Sequence, residues 1–312
     1  MKVIHDIKNY KATSQSILTI GTFDGVHVGH QKIIKSLVER ASQKKILANV
    51  LTFFPHPRMV LQKDSKIKLI DTLKEKEVFF RELGVDNLII HPFSKEFSRL
   101  TALEFTRDIL VNQLKTAYLY IGHDHRFGRN REATVKDLID FGKIYDFEVI
   151  VIPAQNISMV TVSSTKIRKA IEKGDFIQTY LFLGRPFLLS GKVSKGKGVG
   201  RTIAFPTANI TIEESYKIIP PRGVYLVSID LENTTHFGMM NIGIRPTLEG
   251  DNETIEVHIF EFNEDIYNKI LKISLLEKIR EEEKFQSLEA LKRQLEIDKE
   301  ICKKTLINKG LK

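Results

Sequence analysis

The strongest constraint on the fold is a change of pattern near Gly184. From Ile17 to Pro153, short apolar segments (Ile17–Ile20, Ile46–Phe54, Asn87–Ile90, Tyr118–Ile121, Val149–Ile152) alternate with helical patterns over Asp71–Leu83, Thr101–Leu114 and Val135–Tyr145. Gly84 and Gly184 follow helical runs, where a left-handed residue ends a helix. Strands separated by helices of this length predict parallel crossovers, and so an α/β, doubly wound parallel sheet. After Gly184 the helices stop. Phe187–Val193, Val224–Ile229, Phe237–Asn241 and Ile255–Phe260 follow at roughly ten-residue spacing, the texture of a small antiparallel β-barrel. Ser287–Cys302 closes the chain as an amphipathic helix through Leu288, Leu291, Leu295 and Ile301. Domains 1–184 and 185–312 follow, and a length of 312 residues agrees with two cores rather than one.

Composition removes several classes. With 42% hydrophobic and 28% charged residues the chain is ordinary for a globular protein. No apolar run approaches the ~20 residues of a membrane span, and the start MKVIHDIKNY lacks the apolar core of a secretory signal. A single cysteine, Cys302, excludes an internal disulfide or a cysteine-rich zinc site. A cytoplasmic protein is expected. The net charge of +9 calls for anionic partners: nucleotides, flavin phosphates or nucleic acid. Much of the excess is spread through a lysine-rich C-terminal third without interleaved aromatics, so nucleic-acid binding is not expected.

The chemistry concentrates at strand ends. Gly21–Gln31, GTFDGVHVGHQ, joins the Ile17–Ile20 strand to a helix whose apolar face is Ile33, Ile34, Leu37 and Val38. Gly25 and Gly29 let backbone approach a ligand. A helix beginning near Gly29 places His27, His30 and its first free N–H groups around one volume suited to phosphate. One histidine near a helix start is more often a cap or a solvated residue; a pair bracketing a glycine points to a site. Pro55-His56-Pro57 and Gly122–Gly128 follow later strands, the former readable as a rigid turn. In VSSTKIR, Ser163 or Ser164 caps a helix, and the hydroxyls with Arg168 make a second phosphate cradle. Gly191–Lys197 nearly matches a P-loop, but Gly198 stands where a magnesium-binding hydroxyl belongs and no helix follows. In FPTAN, Thr207 and Asn209 face one side of an extended segment and offer oxygens to Mg²⁺, or serve structure alone.

The H-x-G-H pair resembles the signature of nucleotidylyltransferases. The fuller GTFDGVHVGHQ string, the TFFPHP element, the GHDHRFG loop and SSTKIR resemble the first module of bacterial bifunctional riboflavin kinase/FAD synthetases. Gly200-Arg201, FPTAN, PRGVY, NIGIRPT and IEVHIF resemble the riboflavin kinase module in order and spacing. The resemblance implies that His27 and His30 are catalytic and that Gly21, Phe23, Asp24, Gly29, Ser163, Ser164, Thr165 and Arg168 hold nucleotide phosphates. It assigns flavin contacts to His56, Pro57, Asp124, His125, Phe127, Asn241 and Arg245. Gly196, Gly198, Gly200 and Arg201 become a flap over phosphates, Thr207 and Asn209 the Mg²⁺ contacts, and Glu256 the base. His125 replaces a usual phenylalanine, Lys195 a histidine, Ala204 a glycine and Leu248 a phenylalanine.

Two reactions are therefore expected, using ATP and Mg²⁺: riboflavin to FMN, then FMN to FAD with release of pyrophosphate. The FMN phosphate is already anionic, so adenylyl transfer needs charge neutralisation rather than a base. A ribityl hydroxyl must lose a proton, and a carboxylate should wait for it. Two rivals stay open: an enzyme that has lost one activity through changes such as His125 or Ala204, and a flavin- or nucleotide-sensing protein that binds RNA.

Overall fold

The computed structural model describes residues 1–62, 66–154, 156–157, 160–195, 200, 203–232, 234–247 and 250–311. The chain divides into two compact units, Met1–Ser164 and Thr165–Lys312. Among the described residues no helix is long and apolar enough to cross a membrane.

In the first unit β1 (Lys2–His5), β2 (Ser16–Ile20), β3 (Leu47–Phe54), β4 (Asn87–Pro92), β5 (Thr116–Gly122) and β6 (Glu148–Ile152) form one sheet in the order β1-β4-β3-β2-β5-β6. Every neighbouring pair is parallel, as the alternating pattern predicts. The edge strand β1 was not legible as a strand: four residues, KVIH, carry one buried side chain. From β2 the chain moves to β3 and β4 on one side, and β5 later pairs with the other side of β2. The sheet order therefore reverses between β2 and β5, and the crevice at their carboxyl ends is where such folds bind ligands. Around the sheet lie α1 (Val28–Lys44), α2 (Pro57–Leu61), α3 (Leu73–Glu82), α4 (Ala102–Glu104) running into a π-helical stretch (Phe105–Gln113), and α5 (Val135–Tyr145). α1 buries Ile34 and Leu37 of the expected face together with Ala41, while Ile33 and Val38 are half-buried.

In the second unit α6 (Ser164–Glu172) and α7 (Phe176–Leu183) precede a closed antiparallel barrel. Its strands are β9 (Phe187–Ser194), β10 (Ala208–Thr211), β11 (Gly223–Leu231), β12 (Thr234–Thr247), β13 (Gly250–Ile259) and β14 (Ile270–Arg280), in the order β10-β13-β12-β11-β14-β9. A two-residue hairpin, β7 (Asn156–Ile157) with β8 (Val160–Thr161), precedes it. The contact division and the sequence boundary at 184/185 differ by the two helices: Phe176 of α7 packs edge-on against Tyr225 of β11 at 5.6 Å. β14, which joins β9 to β11 and so closes the barrel, was missed. Its alternation over Ile270–Leu275 dissolves in LEKIR, so period two does not persist along its 11 residues.

The last helix, α8 (Leu288–Asn308), corrects the expected apolar face. Leu288 and Ile301 are exposed at 51% and 42%, while the buried positions are Asp298, Cys302 and Leu306. The reason is an ion pair. Arg280 at the end of β14 donates Nε and Nη2 to the Asp298 carboxylate at 2.9 and 2.8 Å, and Gln294 Nε2 adds a further bond at 2.9 Å. A charged residue thus occupies a core-facing position that hydrophobic spacing cannot reveal. Asp298→Ala leaves Arg280 uncompensated, and a loss of about 3 kcal/mol is expected for breaking one side of a buried pair. Urea unfolding followed by circular dichroism measures it; a loss below about 1 kcal/mol, the range of a surface pair, contradicts this account.

Candidate active sites

The β2–α1 turn holds three of four successive residues at positive φ. Phe23, Gly25 and Val26 have φ of 46°, 88° and 37°, a region that costs a non-glycine residue about 1–2 kcal/mol and is rarest for a β-branched one. The surroundings impose it. Thr22 O accepts Lys76 Nζ at 2.9 Å and Thr52 Oγ1 at 3.3 Å. The buried Asp24 carboxylate accepts the Ile70 N–H at 2.9 Å, and Asp24 O accepts Ser164 Oγ at 2.8 Å. Val26 O accepts Gln31 Nε2 at 2.9 Å. Phe23 is a core ring, set edge-on to Phe80 at 5.6 Å. A side chain at Gly21 would meet that ring at 3.1 Å. Gly21, Phe23 and Asp24, expected on phosphates, thus have packing duties that shape the turn.

His27 caps α1, its Nδ1 accepting the His30 N–H at 3.4 Å, so the plain capping role and the paired arrangement coexist. The two imidazoles stack at 3.6 Å and 19° around Gly29, and Phe23 braces His30 edge-on at 5.1 Å. Burial pushes His27 down from 6.5 to about 4, against a smaller opposing pull from Asp71. Burial drives His30 well below its ordinary value, with His27 and Lys76 adding to it. Both rings are neutral near pH 7 and lie beside the first N–H groups of a 17-residue helix. Among the described residues His30 Nδ1 has no hydrogen-bond partner.

The other sheet-end residues separate into distinct roles. His56 caps α2, its Nδ1 accepting the Arg58 N–H at 3.1 Å, and Pro57 opens that helix. Asp124 is exposed. His125 lies near-parallel to Phe127 at 6.2 Å and 20°, and burial pushes it down to about 4, so a neutral imidazole replaces the phenylalanine as a stacking ring. Phe127 is buried and rests on Phe105 at 5.9 Å. From there rings run on through Phe97 at 6.1 Å to His91 at 4.4 Å, and Asp6 holds His91 at 3.1 Å. This aromatic wall escaped the sequence reading because its members come from separate strands and loops. Ser163 precedes α6, while Thr165 and the buried Arg168 belong to the second unit.

In the barrel, Thr207 Oγ1 donates to Glu256 Oε2 at 3.0 Å. Asn209 on β10 and Asn241 on β12 are the cross-strand partners of Glu256 on β13, and directly opposed residues share a face. Pro206 O meets His258 Nδ1 at 2.8 Å. Beside Thr207 opens a cleft of about 490 Å³, with Val193, Pro206, Ala208, Val257 and Tyr267 in its wall, within the size range of small-molecule sites. The expected flap enters only through Gly200, where a side chain would collide with Phe205 O at 2.1 Å, and the exposed Lys195 before it. Gly196, Gly198, Arg201 and Leu248 lie outside the described residues, and so does the Arg245 side chain, whose backbone pairs with Asn252. Ala204 adopts φ 64°, the conformation glycine takes without strain. Glu282 was missed by the sequence reading. Its Oε1 accepts the Ile244 N–H at 3.1 Å and would crowd a side chain at Gly243 at 2.4 Å.

The depressed histidines carry a pH signature. Above pH 6.5 they are neutral in folded and unfolded chains alike and add nothing. As pH falls from 6.5 towards 4, the unfolded chain takes up protons that His27 and His30 refuse in the turn, so stability is lost. Melting temperatures across this window should fall less steeply for the His27→Gln/His30→Gln variant than for the parent; equal slopes rule out the buried neutral pair.

Comparison with known proteins identifies the family. The FAD synthetase family model matches residues 9–166 and the riboflavin kinase model residues 183–306. The bifunctional riboflavin kinase/FMN adenylyltransferase of Escherichia coli strain K12 is 36% identical over 301 residues, covering 96% of each chain. Its Bacillus subtilis counterpart is 35% identical over 302 residues, 95% of this chain and 93% of that one. A Streptococcus pneumoniae crystal structure described as a macrolide-efflux protein superposes with a TM-score of 0.89 at 31% identity, covering 97% of this chain and 99% of that one. With both family models matched in order and more than a third of residues shared over nearly the full length, the chain belongs to the bifunctional riboflavin kinase/FMN adenylyltransferase family.

Proposed function

We propose that the two activities are divided between modules 1–184 and 185–312, with FMN adenylyl transfer at the His27–His30 turn and riboflavin phosphorylation at Glu256. The observation that carries this is the hydrogen bond from Thr207 to Glu256, with Asn209 and Asn241 opposite Glu256 in strand register, beside a cleft of about 490 Å³ that Thr207 lines. Glu256 accepts the proton of the riboflavin ribityl hydroxyl as that oxygen attacks the γ-phosphate of ATP, the bond to the β-phosphate breaks and ADP leaves. Thr207 Oγ1, its own proton given to Glu256, turns lone pairs outward, and with the Asn209 carbonyl it offers the hard oxygens that suit Mg²⁺. Among the described residues no cluster of three or more His, Cys, Asp or Glu could hold a metal, which fits an ion held jointly with ATP phosphates. When bound there, Mg²⁺ supplies charge neutralisation at the transferring phosphate.

At the other site the FMN phosphate attacks the α-phosphate of ATP, and pyrophosphate leaves. His27 and His30, neutral and stacked, donate hydrogen bonds to the phosphate oxygens, and the α1 N-terminus adds its dipole. A cytoplasmic location suits a supply of free ATP and riboflavin.

Purified protein given riboflavin, ATP and Mg²⁺ should yield FMN and then FAD by chromatography. His27→Ala/His30→Ala should abolish FAD formation while FMN still accumulates; equal loss of both activities in a folded variant refutes the division. Glu256→Gln should slow FMN formation about 10²–10⁴-fold, as loss of a general base does, and leave adenylylation of supplied FMN intact. A kinase rate close to wild type returns Glu256 to the strand surface.

A further inference from the structure

We propose that Lys76 is a positioning residue for adenylyl transfer, fixing the Thr22–Phe23 peptide that carries the ring against His30. This rests on reading the histidine pair as the adenylyl-transfer site. Lys76 lies in the first turns of α3 and is only 2% exposed. Lysine is almost never so buried unless its ammonium is used, and near a helix N-terminus the dipole disfavours a cation. A side chain needed only for packing would be better as methionine. Here the ammonium donates to Thr22 O at 2.9 Å.

That bond reaches the histidines through the backbone. A trans peptide carries its C=O and N–H on opposite sides, so anchoring Thr22 O commits the Phe23 N–H to one direction. Phe23 itself stands at φ 46° with its ring against His30 at 5.1 Å. Freed of Lys76, the turn can relax towards ordinary backbone and carry the imidazole with it. Proximity gives the second reason. The reaction builds negative charge between α-phosphate and departing pyrophosphate, and Lys76 lies near enough to His30, in the same compact unit, to act on it electrostatically. In the sequence Lys76 is one of two lysines in LKEKEVFF, with nothing to distinguish it from the exposed Lys74.

The test is steady-state kinetics of the full chain with FMN, ATP and Mg²⁺, comparing Lys76→Met, which keeps length but loses charge and donor, with Lys76→Arg. Removing one preorganised electrostatic contact typically costs about 10²-fold in rate; the Met variant should lose that in kcat with little change in KM for FMN. The Arg variant should recover much of it. Riboflavin phosphorylation should be unchanged in both, and both should remain folded by circular dichroism. Near-normal FAD formation by Lys76→Met, with His27→Ala/His30→Ala inactive, removes Lys76 and leaves the site standing; activity in both removes the site as well. Parallel loss of both activities with a lowered melting temperature, or no recovery in a folded Arg variant, also overturns the proposal.

Discussion

The adenylyl-transfer module depends on a turn that its own residues would not hold. Phe23 and Val26 sit at φ 46° and 37°, each at a cost of about 1–2 kcal/mol. The offset comes from groups far along the chain: Thr52 and Lys76 on Thr22 O, the Ile70 amide on Asp24, and Ser164 on Asp24 O. The parallel sheet brings these together, because β3 lies beside β2 in register and delivers Leu51 O to the Gly21 N–H at 3.1 Å. Strain at a functional turn survives only where the surroundings over-determine it. The result is a stacked pair of neutral histidines facing the crevice where the sheet order reverses.

The two modules meet different chemical demands with different materials. Where the nucleophile is already ionised, a site needs donors and positive charge; the first module offers imidazoles, a helix start and a buried ammonium. Where a hydroxyl must be deprotonated, a site needs a carboxylate held among neutral partners. Glu256 has Thr207 as donor and asparagines on both neighbouring strands.

The barrel is closed by β14 and covered by α8, and the Arg280–Asp298 pair joins them. The same segment sends Glu282 to the Ile244 N–H, just past Ile242, where the β11–β12 pairing ends. A carboxylate thus satisfies the backbone of the strand that presents Asn241 and Arg245, and Gly243 must lack a side chain to admit it.

Local pattern was enough for the alternation of strand and helix, the barrel texture after Gly184, the helix starts and stops, and the histidine pair, since each rests on residues within one turn or one strand. Family motifs named Glu256, Thr207 and Asn209 before any geometry placed them. What the sequence could not determine involves partners far apart. β1 and β14 show too little alternation to read as strands alone and gain order from neighbours far along the chain, Lys2 pairing with Asn87 and Arg280 with Val224. The expected α8 face failed at Leu288 and Ile301 because Asp298, paired with Arg280, takes a buried position that periodicity reserves for apolar residues. Lys76 and Glu282 read as ordinary surface charges in the sequence. Only tertiary packing sets one under Thr22 O and the other on the Ile244 N–H, because a charge acquires its role from the groups that surround it in space.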